Sequence, residues 1–261
     1  MEPDREPLPT RVRDTPALPD DYEHALDRGL VQLGLALDTD ARAAIDGHVR
    51  LLLAWTNAIN LTAIRDPAGV ATAHVIDSLS VVSWFRARDA GHGIQRIVDL
   101  GSGGGFPGLP IAAAWPGAAV TLLEPIRKKA AFLQTAVDAT GLADRVAVVA
   151  GRAEALAAEP AQRGTWSVVT ARAVASAADL VELAFPLLEP GGVLVAWKRG
   201  DLRAELAAAR RAVDALGGGA LEVRDVAVDG LDGHRLVTVR RTGRVPDAYP
   251  RDPAARRRRP W

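Results

Sequence analysis

Apolar positions change their period once along the chain. Between about residues 21 and 85 they recur at helical spacing. Leu26, Leu30, Leu33 and Leu37 form one stripe, and a second helix runs from about Asp40 to Trp55. A third starts near Pro67 and carries Val70, His74, Val75, Leu79 and Val82. Gly29 and Gly34 weaken the first helix. Asn57-Ala-Ile-Asn60-Leu-Thr62 ends the second, because Asn and Thr side chains compete for local backbone hydrogen bonds. From about residue 96, short apolar runs replace the stripes. They predict strands at 96–100, 119–123, 145–150, 166–171, 192–198, 221–228 and 234–241. Helices are predicted at about 107–115, 126–140, 153–158, 176–188 and 201–216. Such alternation predicts an α/β fold with a parallel sheet covered on both faces. Gly230 and Gly233 bracket a turn that makes the last two strands a hairpin, placing one antiparallel strand in an otherwise parallel sheet.

Four segments follow from this pattern. Residues 1–20, with Pro3, Pro7, Pro9, Pro16 and Pro19, are expected to be disordered. Residues 21–92 form a helical extension, with Gly91 to Gly93 as a hinge. Residues 93–243 form the main domain, and 244–261 a basic, flexible tail. The 261 residues can bury a sizeable core, and 48% hydrophobic with 25% charged residues is ordinary globular composition. Zero cysteines exclude disulfides, thiolate catalysis and cysteine zinc sites. No apolar run is read as reaching the roughly 18 residues of a membrane span, so no membrane partner is expected. The charged, proline-rich start has no apolar signal core; a cytoplasmic protein is expected, and a monomer.

Net charge is zero, but its distribution is uneven. Nine arginines lie from Arg235 onward, among them Arg256, Arg257 and Arg258. A basic tail on a neutral body suits contact with a polyanion or simply a solvated terminus. Only three of the 32 basic residues are lysine, namely Lys128, Lys129 and Lys198, and all three lie beside the motifs below.

The run Ile-Val-Asp-Leu-Gly-Ser-Gly-Gly-Gly-Phe-Pro-Gly-Leu-Pro from residue 97 joins a strand, a glycine loop and a helix start. Asp99 sits near the strand end; Gly101, Gly103 and Gly105 follow, and Pro107 suits a first helical turn. Glycine permits positive φ and lets backbone amides approach a ligand. Gly103-x-Gly105-x-x-Gly108 also matches a dinucleotide fingerprint, with Glu124 as its ribose acid. The first glycine following the strand directly, with an acid two residues before it, favours S-adenosylmethionine.

Ligands of open α/β sheets bind outside the carboxyl ends of the strands. There Phe106 can lie against an adenine or line the pocket, and Glu124 can accept ribose hydroxyls or cap a helix. Amides around Ala153 and Glu154 can meet an adenine edge, or Glu154 can complement a helix dipole. Arg172 can hold a methionine carboxylate or an acceptor phosphate; Lys198 has a similar place. The extension contributes Asn60, His74, Asp77 and Ser78. His74 and Asp77 share a helix face and read as a His–Asp base, a metal pair or a satisfied polar pair. With no third ligand visible, no metal is expected.

Asn60-Leu-Thr-Ala-Ile-Arg-Asp-Pro, His74-x-x-Asp-Ser-Leu, the glycine run and Ala171-Arg-Ala-Val-Ala-Ser together resemble the bacterial small-subunit ribosomal RNA guanine-N7 methyltransferases, also called glucose-inhibited division protein B. The resemblance spans about residues 25–250. It implies a class I S-adenosylmethionine-dependent methyltransferase with a Rossmann-like, mostly parallel seven-stranded sheet. It further implies methyl transfer to N7 of guanine 527 in 16S ribosomal RNA of the 30S subunit. The cofactor residues would be Gly101, Phe106, Ala153, Glu154 and Arg172, with Glu124 on the ribose. The family often ends in Tyr-Pro-Arg and a lysine-rich tail; here Tyr249-Pro-Arg is kept and arginines replace the rest.

Guanine N7 already carries an in-plane lone pair, so no general base is needed and catalysis reduces to positioning. A carboxylate such as Asp77 or Asp99 would balance the charge the purine gains. Asn60, His74, Asp77, Arg172 and Lys198 are the expected substrate-positioning residues. Arg127, Lys128, Arg256, Arg257 and Arg258, with Lys198, are expected on RNA phosphates. The competing classes are a small-molecule methyltransferase, a nicotinamide oxidoreductase and a non-catalytic RNA-binding module.

Overall fold

A computed structural model describes residues 7–88 and 95–261. The expected hinge at 91–93 lies outside the described residues, as do residues 1–6. Seven strands form one sheet: β1 (Gln95–Leu100), β2 (Ala118–Leu123), β3 (Val146–Val149), β4 (Trp166–Arg172), β5 (Leu188–Arg199), β6 (Gly218–Asp225) and β7 (His234–Arg241). Their order is β3-β2-β1-β4-β5-β7-β6, and β7 alone runs antiparallel to its neighbours. Successive strands are added to one side of β1 (β2, β3) and then, from β4 on, to the other, so the crevice beside the end of β1 is the switch point. The period-2 alternation of β1 serves two cores. Ile97 packs with the helical extension, whereas Val98 and Leu100 face the opposite layer.

The extension comprises α1 (Asp20–Leu33), α2 (Thr39–Ile59), α3 (Pro67–Val70), a π-helical Ala71–Ile76, α4 (Asp77–Leu79) and α5 (Val82–Arg88). The two glycines that weaken the α1 pattern both have structural reasons. Gly34 closes α1 at φ 63°, and a Cβ on Gly29 would lie 2.4 Å from Ile76. α2 starts on Asp38, whose side chain accepts from the amide of Ala41, and runs four residues beyond the predicted end at Trp55. The segment Pro67–Phe85 is, against expectation, long and apolar enough by composition to span a membrane, with a mean hydropathy of 1.2. It is a core element here: 56% of it is buried, and Gly29 lets α1 pack closely on it.

Both expected loose ends are folded where described. At the N-terminal side, proline carbonyls serve as acceptors: Trp55 Nε1 donates to Pro9 O at 2.7 Å and Arg50 Nε to Pro16 O at 2.8 Å. A short turn at Val12–Asp14 lays Val12 against Gly47. At the C-terminal side, Asp252 caps a helix over Pro253–Arg258, accepting from the amides of Ala254 and Ala255 at 2.9 Å. The remaining helices are α6 (Gly108–Ala114), α7 (Arg127–Ala139), α8 (Ala153–Ala158), α9 (Ala177–Ala184) and α10 (Arg203–Ala215), and the C-terminal one is α11.

Candidate active site: two clefts meeting at Gly101

The glycine loop turns between β1 and α6 with φ values of 67°, 56° and 92° at Gly101, Gly103 and Gly105, which a side chain would strain. It is wedged from the extension side. His48 of α2 lies 2.7 Å through Nε2 from the carbonyl of Gly104, and a Cβ on Gly105 would meet that same nitrogen at 2.7 Å. The carbonyl can only accept, so Nε2 carries the proton. Burial pushes the His48 imidazole down to about 4, keeping it neutral.

Asp99 is fully enclosed beneath this loop. It accepts from Thr170 Oγ1 at 2.8 Å and from the Gly108 amide at 3.3 Å, fastening β4, the loop and α6 together. Burial raises its carboxyl to about 6. The expected contact of Asp99 with cofactor or purine is therefore corrected to a structural role. Glu124 is likewise a strut: it accepts from the Gly103 amide at 2.9 Å and the Ile126 amide at 2.8 Å. One lone-pair direction on each oxygen stays available.

Two clefts share Gly101. The larger, about 590 Å³, is lined by Gly101 to Gly104, Phe106, Leu61 to Ile64, His74, Asp77, Lys129, Arg172 and Lys198. The smaller, about 200 Å³, is lined by Gly101, Leu123, Gly151 to Glu154 and Arg256.

Over the larger cleft stands a clamp drawn from three elements. Asp77, 2% exposed, accepts from Arg172 Nη1 at 3.2 Å and from His234 Nδ1 at 3.0 Å. Arg172 also donates to Ala73 O at 2.9 Å and to His74 Nδ1 at 3.1 Å, and lies 5.3 Å above the Phe106 ring. His74 Nδ1 lies 3.1 Å from both Arg172 Nη2 and Ala73 O, and Nε2 lies 2.6 Å from Thr62 Oγ1, so both ring nitrogens are in hydrogen-bond contact. Burial and the neighbouring Arg172 charge push His74 down to about 4. With both nitrogens engaged, this ring does not present a base to a ligand. Burial also lowers Arg172, opposed by Asp77. Trp197 Nε1 closes the arrangement by donating to Asp77 O at 2.7 Å, which ties β5 to α4.

Several expected roles change. Phe106 takes the second of its two expected places, lining the larger cleft, and does not offer a face to an adenine, since His48 and His74 lie 4.7 Å and 4.9 Å from its ring. Asn60 is exposed and ends α2 at φ 51°, a conformation Asn tolerates; Leu61 to Ile64, not Asn60, line the cleft. Lys198 is not a free cation: Nζ donates to Ala175 O at 2.6 Å and pairs with Glu205 at 2.5 Å. Asp77 is paired with Arg172 and accepts from His234, and among the described residues no three acidic, histidine or cysteine side chains gather as a metal site. Glu154 is paired with Arg256 at 2.5 Å, which removes Arg256 from the free tail. Arg127, Lys128, Arg257 and Arg258 are exposed and make no ion pair among the described residues. Sequence reasoning missed His48, Thr62, Lys129, Trp197 and His234. Of these Lys129 carried a signal, its rarity beside a motif, and Thr62 lay inside the Asn60-Leu-Thr motif without being given a role.

The loop backbone is open at Gly103, where a Cβ would meet nothing closer than the Gly101 carbonyl at 3.7 Å. The loop thus leaves open backbone between the two clefts, as an elongated ligand lying across Gly101 requires.

Comparison with known proteins agrees with this geometry. The family model described as rRNA small subunit methyltransferase G matches residues 42–230. A protein of Roseiflexus castenholzii named ribosomal RNA small subunit methyltransferase G is 41% identical over 84% of this chain and 91% of its own. One of the same name from Geobacillus kaustophilus is 34% identical over 88% of this chain and 95% of its own. Among solved structures, an S-adenosylmethionine-dependent O-methyltransferase of Thermotoga maritima has the same fold, with TM-score 0.50 at 16% identity, covering 75% of this chain and 73% of that one. The CurJ carbon methyltransferase gives 0.53 at 12% identity, covering 86% and 67%.

Proposed function

Because this chain belongs to the rRNA small subunit methyltransferase G family, we propose that it transfers a methyl group from S-adenosylmethionine to N7 of a guanine, position 527, in 16S ribosomal RNA of the 30S subunit. The observation that carries this reading is the pair of clefts joined at Gly101, with the Arg172 clamp over one of them. S-adenosylmethionine supplies an electrophilic methyl group on a sulfonium. The smaller cleft, with Leu123, Gly151 and Ala153, takes the adenosine half. Glu124, which bonds the Gly103 amide of the larger cleft and follows Leu123 of the smaller, accepts ribose hydroxyls on its remaining lone pairs. The larger cleft takes the amino-acid half beside Arg172 and leaves room for a purine.

The chain's residues orient rather than deprotonate. Guanine N7 needs no base, and the ring of His74 has no nitrogen free to act as one. Arg172 is held by Asp77, Ala73 O and His74, so its position is set before any ligand arrives. N7 lies on an edge that an A-form groove hides, so the target guanine is unstacked or in an irregular loop. Arg127, Lys128, Arg257 and Arg258 meet phosphates, which makes binding salt-dependent.

The test is tritiated methyl transfer from S-adenosylmethionine to 30S subunits, naked 16S RNA and free nucleosides. The RNA comes from a strain lacking this enzyme, and the product is mapped by mass. N7-methylguanine at one loop position is expected, with transfer weakening as salt rises. Cofactor binding without transfer to any RNA would overturn the substrate and return a small-molecule methyltransferase to first place.

A further inference from the structure

The tail does more than cover the surface. Arg251 grips the fully enclosed Glu182 of α9: its amide donates at 2.8 Å, Nε at 3.0 Å and Nη2 at 2.6 Å. Trp261 Nε1 donates to the same carboxylate at 2.7 Å, and the Trp261 ring stacks on Tyr249 at 5.9 Å. These contacts fix both ends of the segment 249–261, with the capped α11 between them. One consequence is the place of Arg256. Its side chain, 13% exposed, donates through Nη1 to Arg251 O at 2.8 Å and pairs through Nη2 with Glu154. It thereby stands at the smaller cleft beside Gly101, Leu123, Gly151 and Ala153.

The pairing with Glu154 neutralises two charges on this wall without using up the guanidinium. An arginine carries five N–H donors, and these two contacts occupy one on each terminal nitrogen. An adenine edge carries ring nitrogens that only accept. A neutralised wall with spare donors suits such an edge better than it suits a phosphate, which would compete with Glu154 for the same guanidinium.

We propose that the C-terminal segment 249–261 is the outer wall of the adenosine subsite, and that Arg256 is a positioning residue there, donating to the adenine, rather than an RNA phosphate contact. This rests on the reading of the joined clefts as the S-adenosylmethionine site. It assigns the tail's arginines two separate tasks: Arg251 and Arg256 face inward, while Arg257 and Arg258 remain exposed for a polyanion.

Calorimetry on the full chain tests the proposal without RNA. S-adenosylhomocysteine and methylthioadenosine, which shares only the nucleoside half, are titrated into wild type, Arg256→Gln and Arg256→Lys. Arg256→Gln weakens both ligands by the same factor, about tenfold, the value of one charge-assisted hydrogen bond. Arg256→Lys, which keeps the pair with Glu154 but not the fork, falls between and guards against a misfolded glutamine variant. Arg251→Ala, remote from the cleft lining, weakens both ligands too by releasing the wall. Affinities within about twofold of wild type in all variants would overturn the wall while leaving the cofactor reading intact. Tighter binding by Arg256→Gln would also overturn it, by showing that Arg256 withholds Glu154 from the ligand. Wild type that fails to bind S-adenosylhomocysteine would remove the cofactor reading and the proposal together.

Discussion

Two buried carboxylates are each gripped by an arginine far away in sequence, Asp77 lining the larger cleft and Glu182 next to Leu183 of the smaller, and they do different work. Glu182 accepts from the Arg251 amide, from two of its guanidinium nitrogens and from Trp261, so both oxygens are crowded with donors. Asp77 accepts one hydrogen bond on each oxygen, from Arg172 and His234, and its guanidinium partner borders a cleft of about 590 Å³. Burying a carboxylate costs several kcal/mol unless donors replace water. Glu182 meets that cost entirely from within and has no acceptor direction left to offer. Asp77 meets it with a partner that also faces open space. Saturation marks the fastening; residual capacity beside a cleft marks the site.

The largest expected effect breaks the clamp. Arg172→Lys keeps a positive charge beside Asp77, but one ammonium group cannot reach Ala73 O, Asp77 and His74 in their three directions. Methyl transfer should fall about 100-fold in kcat/KM, as expected when a preorganised electrostatic group is misplaced. A loss under tenfold would make Arg172 a fastening of the same kind as Arg251.

Next in size is the fastening itself. Arg251→Ala leaves the enclosed Glu182 with only the residue-251 amide and Trp261 as donors and no cation, and breaking a buried pair of this kind costs about 3–5 kcal/mol. The denaturation midpoint should drop accordingly while kcat at saturating cofactor stays near wild type. An equal fall in kcat would erase the distinction drawn between the two sides.

The two sides also differ in how visible they are along the chain. Arg172 directly follows an apolar strand, and His74 and Asp77 share a helix face, so local spacing identifies all three. The seven strands are equally local, because each is a short apolar run bounded by turn residues, and the predicted hairpin of β6 and β7 forms as paired antiparallel strands. His234 and Trp197 enter the clamp from β7 and β5 only through strand order, which periodicity does not encode. Lys198 and Asn60 are of the expected residue types, but Glu205 and the helix end decide what they do. The tail is the extreme case. A run of arginines reads as a solvated or polyanion-seeking end, because Glu182 and Glu154 lie 69 and 102 residues upstream. Prolines at the other end read as disorder, although their carbonyls serve Arg50 and Trp55.

The smallest expected effect is a change in pH dependence confined to the clamp side, since no histidine touches the tail fastening. His74 and His48 are each held near 4 in the folded chain, below the ordinary 6.5. A depressed imidazole contributes stability that is full above pH 6.5 and is lost as pH falls toward 4, because the unfolded chain takes up protons that the folded one refuses. Asp99 works in the opposite sense. Its carboxyl is raised from 3.8 to about 6, so the folded chain binds that proton more readily as pH falls through 6. Near pH 5 the two imidazoles favour unfolding and Asp99 partly offsets them, so stability falls as the pH falls. His74→Gln keeps a donor for Thr62 and an acceptor for Arg172 while removing one titrating group. Urea denaturation between pH 6.5 and 4.5 should then show a nearly flat stability curve for the variant and a falling one for the parent. Parallel curves would mean that His74 titrates alike in both states, and that the Arg172 clamp is loose enough for the ring to reach water.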